Sequence, residues 1–180
     1  MDTNEVSIKQ SSTQYGLILG GILSLITILM YTLNAELFTK WWMGILTIIL
    51  VIATGIVATA RAKGLLGGFM TFKEAFTAYF ITIAIGLAIS TVVGVLIFTV
   101  IDPDMGTYLN EQMVEMQRGF MEKFNMPEAE MEKALADLES VDNFSLINQV
   151  KSYFFGIIFQ AVIGLLIALI FKRKDPNAIA

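Results

Sequence analysis

Four stretches of the chain, 16–35, 41–60, 75–101 and 152–171, are free of Asp, Glu, Lys and Arg. Each matches or exceeds the roughly 20 residues that an α-helix needs to cross the hydrocarbon core of a bilayer, so each predicts a transmembrane helix. Between the third and fourth the pattern changes. Met105, Leu109, Met113, Met116, Phe120 and Phe124 recur at steps of three and four, the apolar face of an amphipathic helix. Asn125-Met126-Pro127 interrupts it. Pro127 suits the first turn of a second helix, and Met131, Ala134, Leu135 and Leu138 trace that helix's apolar face. Asp104 is placed to cap the first arm, and the residue before Pro103 is pushed out of helical geometry, which ends span three at Asp102. Arms of about 20 and 13 residues extend roughly 30 and 20 Å at the helical rise. Residues 140–143 break the second arm, and a helix resumes near Ser145.

Within the spans, small or weakly polar residues recur every four positions. They are Gly16, Gly20 and Ser24 in span one, and Thr47, Gly55 and Thr59 in span two. Span three carries Ala78, Thr82, Gly86, Ser90 and Gly94, and span four Gly156, Gln160, Gly164 and Ala168. Small residues let helix backbones approach, and Ser, Thr and Gln can hydrogen-bond across the contact. A four-residue step drifts around a helix of 3.6 residues per turn, so each stripe favours a crossed contact. Gly16, Gly20, Ser24, Gly55, Thr82, Gly86, Ser90, Gly94, Gly156, Gln160 and Gly164 are therefore candidate helix-packing positions, within one chain or between copies. Gln160 is the most polar side chain at membrane depth, and an interhelical hydrogen bond is its simplest use.

Gly67 and Gly68 mark a turn between spans two and three. Thr71 with Glu74 three residues later forms a capping box, so span three starts near Phe72. The loop lacks the spacing and the Lys-Ser/Thr ending of a phosphate-binding P-loop. Trp41, Trp42 and Tyr153 suit the aromatic belt at one interface, Tyr15 and Phe171 the other.

Charge orients these elements. Seven bases lie in the two tails and the 61–74 loop: Lys9, Arg61, Lys63, Lys73, Lys172, Arg173 and Lys174. Residues 102–151 hold eleven acids and four bases. Lys and Arg favour the cytoplasmic side, which places both termini inside and the hairpin outside. The expected fold is an all-α membrane protein: four transmembrane helices with an external amphipathic helical hairpin, 102–149, between spans three and four, and a cytoplasmic tail, 172–180. The whole chain, 1–180, forms one domain. Cleavage of the first stretch as a signal peptide is the less favoured alternative, because its apolar region is long and its cleavage site poorly formed.

Composition removes chemistry. Hydrophobic residues make up 56% of the chain and charged ones 16%, against roughly a quarter charged in soluble domains. There is no Cys and no His, which excludes disulfides, Cys/His zinc sites, His-ligated haem and any His-dependent triad. Six of the ten methionines fall in the hairpin, at 105, 113, 116, 121, 126 and 131. Thioethers bind Cu(I), but a five-residue spacing does not hold Met116, Met121, Met126 and Met131 on one face, and adaptable packing is the better use. Asp102 and Asp104 flank a proline and lack the rest of a calcium loop. No cofactor, metal or nucleic-acid partner is expected.

Two stretches, Gly67-Gly-Phe-Met-Thr-Phe-Lys-Glu-Ala-Phe76 and Ile101-Asp-Pro-Asp104 with the Met- and Glu-rich hairpin after it, resemble an uncharacterised family of small bacterial four-span membrane proteins, a domain-of-unknown-function family. The resemblance implies an inner-membrane location and this topology. It supplies no activity or site residue.

The functional expectation is a non-enzymatic membrane protein whose external hairpin meets a second copy or another envelope protein. The candidate contact face is Met105, Leu109, Met113, Met116, Phe120, Phe124, Met131, Leu135 and Leu138. The alternative is a small oligomeric transporter or channel for cations or small solutes, with the Thr/Ser/Gly stripe of span three as lining. Catalysis is the weakest reading, because no Ser–His pair, paired Asp or metal lies at membrane depth.

Overall fold

A computed structural model describes residues 3–173, with side chains from Ser7 onward. It consists of helices α1 (Thr3–Leu33), α2 (Trp41–Leu65), α3 (Phe72–Val95), α4 (Pro103–Lys123), α5 (Glu128–Glu139) and α6 (Leu146–Phe171). A 3-10 turn at Ala35–Thr39 joins α1 to α2, and a π-helical stretch, Leu96–Ile101, continues α3. Among the described residues there is no strand, only an isolated bridge between Met70 and Arg173.

Four helical segments are long and apolar enough to cross a membrane: Ser7–Leu33, Trp41–Leu65, Phe72–Ile101 and Leu146–Phe171. Apolar side chains cover their outer faces, with Ile49, Phe155, Ile158 and Ile170 all more than half exposed. In water such a surface would drive aggregation, whereas in lipid it carries no penalty. The protein is a multi-pass membrane protein.

The helices outrun the uncharged stretches. α1 begins at Thr3 rather than near Gly16, α2 continues past Ala60 to Leu65, and α6 starts at Leu146 rather than near Ser152. Apolarity marks the part at lipid depth, whereas backbone hydrogen bonding continues for as long as packing supports it. The early turns of α1 are held by Ile8, which is buried with Ala62, Met70, Ala75, Ala78 and Ala168. The proposed tail falls outside the described residues beyond Arg173.

Local signals set the ends. The α2 terminus is a Schellman motif: Gly68 N–H donates to the Lys63 carbonyl at 3.0 Å and Gly67 N–H to Gly64 at 3.2 Å. Gly67 and Gly68 have φ of 71° and 90°, a region where a side chain is strained. The Thr71–Glu74 capping box starts α3: Thr71 N–H donates to Glu74 Oε2 at 2.7 Å and Glu74 N–H to Thr71 Oγ1 at 3.2 Å. At the hairpin the cap is Asp102, not Asp104. Asp102 Oδ1 accepts from Met105 N–H at 3.0 Å, and Pro103 takes the first helical position. Proline is preorganised for that position and has no N–H to satisfy there, which moves the cap to the residue before it. Pro127 likewise sits just before α5 rather than within its first turn.

α3 is the helix the other three spans share. It packs most extensively on α1, then on α6 and α2, while α2 and α6 meet only sparsely. A central core joins Leu19, Leu23, Val51, Tyr79, Ile83 and Ile167. A third cluster, Ile97, Phe98 and Leu109, ties the hairpin to the bundle.

Candidate functional site

The hairpin grows out of the bundle through Asp102. Its second carboxylate oxygen accepts from the Tyr31 hydroxyl at 3.0 Å, so one side chain caps α4 and fastens it to the end of α1. Phe98 makes edge contacts with Phe38 at 5.3 Å and Phe144 at 5.0 Å between ring centroids. Leu109 closes this cluster at 0% exposure, with Met105 packed beside it. The return crossing is fastened too. Asn110 Oδ1 accepts from Asn143 N–H and Nδ2, at 3.2 and 2.9 Å, and Asn110 Nδ2 donates to the Val141 carbonyl at 3.0 Å. Thr99 and Gln149 both donate to the Phe144 carbonyl.

Away from this base the apolar face opens progressively toward the tip. Leu135 is buried between the arms, and Met113, Met131 and Leu138 are half-buried. Met116, Phe120, Phe124 and Met126 are 42%, 58%, 70% and 37% exposed. The rings of Phe120 and Phe124 lie 4.6 Å apart and form one patch. Asn125, at φ 52°, turns the tip: Met126 N–H donates to the Met121 carbonyl at 3.1 Å in a second Schellman motif. The candidate contact face is therefore two surfaces, a base spent on folding and a tip left open. A helical stripe read from sequence does not show where its neighbours end.

Inside the bundle the stripes find definite partners. A methyl built on Gly16 would stand 2.8 Å from Ile85 Cβ, one on Gly20 2.7 Å from Ile89 Cβ, and one on Gly86 2.5 Å from Leu19 Cδ2. Gly55 and Gly164 press on opposite edges of the Tyr79 ring. Tyr79 donates to Gln160 Oε1 at 2.7 Å, so the one amide at membrane depth on α6 is satisfied by a buried phenol. Thr82 donates to the carbonyls of Ala78 and Ser12, while Ser24 is buried with an unpaired hydroxyl. Gly94 lies against Gln149. Gly156 is different: a methyl there would meet only Leu87 Cδ1, at 3.9 Å.

Gly156 is loose because α2 and α6 splay apart. Thr47 and Val51 face Phe155 and Phe159 across an apolar cleft of about 580 Å³ floored by Leu87. An adjoining section of about 320 Å³, sharing Leu87 and Gly156, is lined by Thr27, Ser90, Thr91, Gln149, Ser152 and Tyr153. The Tyr153 hydroxyl donates to the Ala84 carbonyl within α3 at 3.3 Å. The early start of α6 carries it nearly two turns into the helix.

This arrangement of four apolar helices with a helical insert after the third matches, over residues 14–173, a family described as protein of unknown function. The chain belongs to the DUF4199 family. The DUF4199 match takes in the first transmembrane segment from residue 14, the other three and the whole hairpin, and the family description names no ligand or reaction. No curated protein and no solved structure matches the chain.

Proposed function

We propose that this protein is a non-enzymatic accessory component of a bacterial cytoplasmic membrane that presents its α4–α5 hairpin outside the cell membrane for protein contact. The observation that carries this reading is the division of the hairpin: a base fixed by Asp102, Leu109 and Asn110, and a tip with Met116, Phe120, Phe124 and Met126 uncovered. A rigid mount under an exposed aromatic and Met patch suits association, because such residues bury much area and adapt to different surfaces. The orientation follows from Arg61, Lys63, Lys73, Lys172 and Arg173 at the opposite end, which favours the cytoplasm. The partner is a second copy or another envelope protein.

Single cysteines at 120 and 124, in a chain that has none of its own, test this in intact cells. Crosslinking from the tip into one defined species, and not from lipid-facing position 158, is expected. Removal of residues 113–135 that left oligomeric state and co-purifying proteins unchanged would end the proposal. Transport by an oligomer is the second reading. It draws on the hydroxyls of Ser90, Thr91 and Ser152 in the cleft, and solute flux into liposomes above empty vesicles is its signature.

A further inference from the structure

The bases at the end opposite the hairpin have different uses. Lys63 Nζ donates to the Phe171 carbonyl at 2.8 Å, closing the C-terminus of α6. The Arg173 guanidinium lies 5.4 Å from the centroid of the Phe69 ring, and its backbone pairs with Met70. Arg61 does neither. Among the described residues it has no ion pair, hydrogen bond or ring contact. It stands in a groove of about 450 Å³ between α2 and the first turns of α1.

The facing wall carries uncharged hydrogen-bonding groups at helical spacing: Ser7, Gln10, Ser11 and Gln14, with Tyr15 beside them. Ser11 is buried to 7% exposure, yet its hydroxyl makes no hydrogen bond. That hydroxyl opens onto the groove rather than being sealed in the core as Ser12 Oγ is, so it is free to donate to an acceptor from outside the chain. No Asp or Glu is among the described lining residues, so the groove favours an anion. Ile18, four residues further along α1 than Gln14, closes the groove toward the span and is 54% exposed. The site thus has a cationic and polar head and an apolar foot.

We propose that this groove holds the headgroup phosphate of an anionic glycerophospholipid from the leaflet at the basic end. The guanidinium fork of Arg61 matches two phosphate oxygens, Ser11 donates a third hydrogen bond, and the acyl chains lie along Ile18. The anionic lipids of a cytoplasmic leaflet have this chemistry. The inference concerns the end away from the hairpin and stands whatever the tip contacts.

The test uses the full chain in a neutral detergent with equal phosphatidylglycerol and phosphatidylcholine, with retained lipid counted by native mass spectrometry. Wild type is expected to keep phosphatidylglycerol in preference. Arg61→Gln should lower its retention about tenfold and Ser11→Ala about threefold. Arg61→Lys, which keeps the charge and loses the fork, should fall between them. Lys73→Gln removes an exposed charge outside the groove and should change nothing. Equal retention by wild type and a normally helical Arg61→Gln would overturn the proposal. So would an equal loss in Lys73→Gln, which would mean diffuse attraction. Displacement of the lipid by millimolar inorganic phosphate would reassign the groove to a free ion. If Arg61→Gln does not fold, Ser11→Ala and Arg61→Lys decide the matter by the same readout.

Discussion

Along the seam between α1 and α3, each of Gly16, Gly20 and Gly86 receives a large side chain: Ile85, Ile89 and Leu19. Across the mouth between α2 and α6, Gly156 receives nothing closer than Leu87 Cδ1 at 3.9 Å. In sequence the two stripes look alike. A glycine is a contact only where a bulky residue on another helix is aimed at it, and in lipid this close packing, rather than expulsion of water, holds helices together. α1 is therefore bound closely to α3, and α6 stands away from α2 between Phe155 and Val162.

The largest break in that contrast comes from filling the seam. Gly20→Val and Gly86→Val should each cost about 3 kcal/mol, because Ile89 must move at its Cβ and Leu19 is fully buried. Thermal unfolding in detergent micelles reads this directly, and a change below the scatter of the method would show that the seam has slack. A smaller loss is expected at the joint between seam and cleft. Tyr79→Phe leaves Gln160 without its donor at 6% exposure and should cost about 1–3 kcal/mol. If adding Gln160→Leu to it restores stability, the cost is that of an orphaned amide rather than of lost packing. The smallest effect belongs to the cleft: Gly156→Ala should stabilise α6 by about 0.5–1 kcal/mol through helix propensity alone. Destabilisation there would mean that α2 and α6 close on each other in the membrane.

The sequence was most readable where one residue type has one job. The uncharged runs gave four spans, Thr71 and Glu74 gave the start of α3, and Gly67 with Gly68 gave the end of α2. Reading failed where a choice depended on what lies opposite. Asp102 and Asp104 both suit a cap, and proline geometry decides for Asp102. Nothing in Ser7, Gln10, Ser11 and Gln14 themselves shows that α2 brings Arg61 beside them. The apolar face from Met105 to Phe124 is uniform in sequence, and Phe98 and Phe144 cover it at Met105 and Leu109, leaving it open from Met116 to Phe124.

The π-helical stretch Leu96–Ile101 has a mechanical consequence. Its closing bond, from Asp102 N–H to the Ile97 carbonyl at 2.8 Å, spans five residues instead of four. Winding one surplus residue into a helix rotates all that follows by about 100° relative to the preceding faces. The surplus residue sets which way Asp102 faces as the chain leaves the span, and here that is toward Tyr31. Deleting a single residue within this stretch would leave the span seated on α1 but carry Asp102 around the helix axis and away from Tyr31, unfastening the hairpin at its mount.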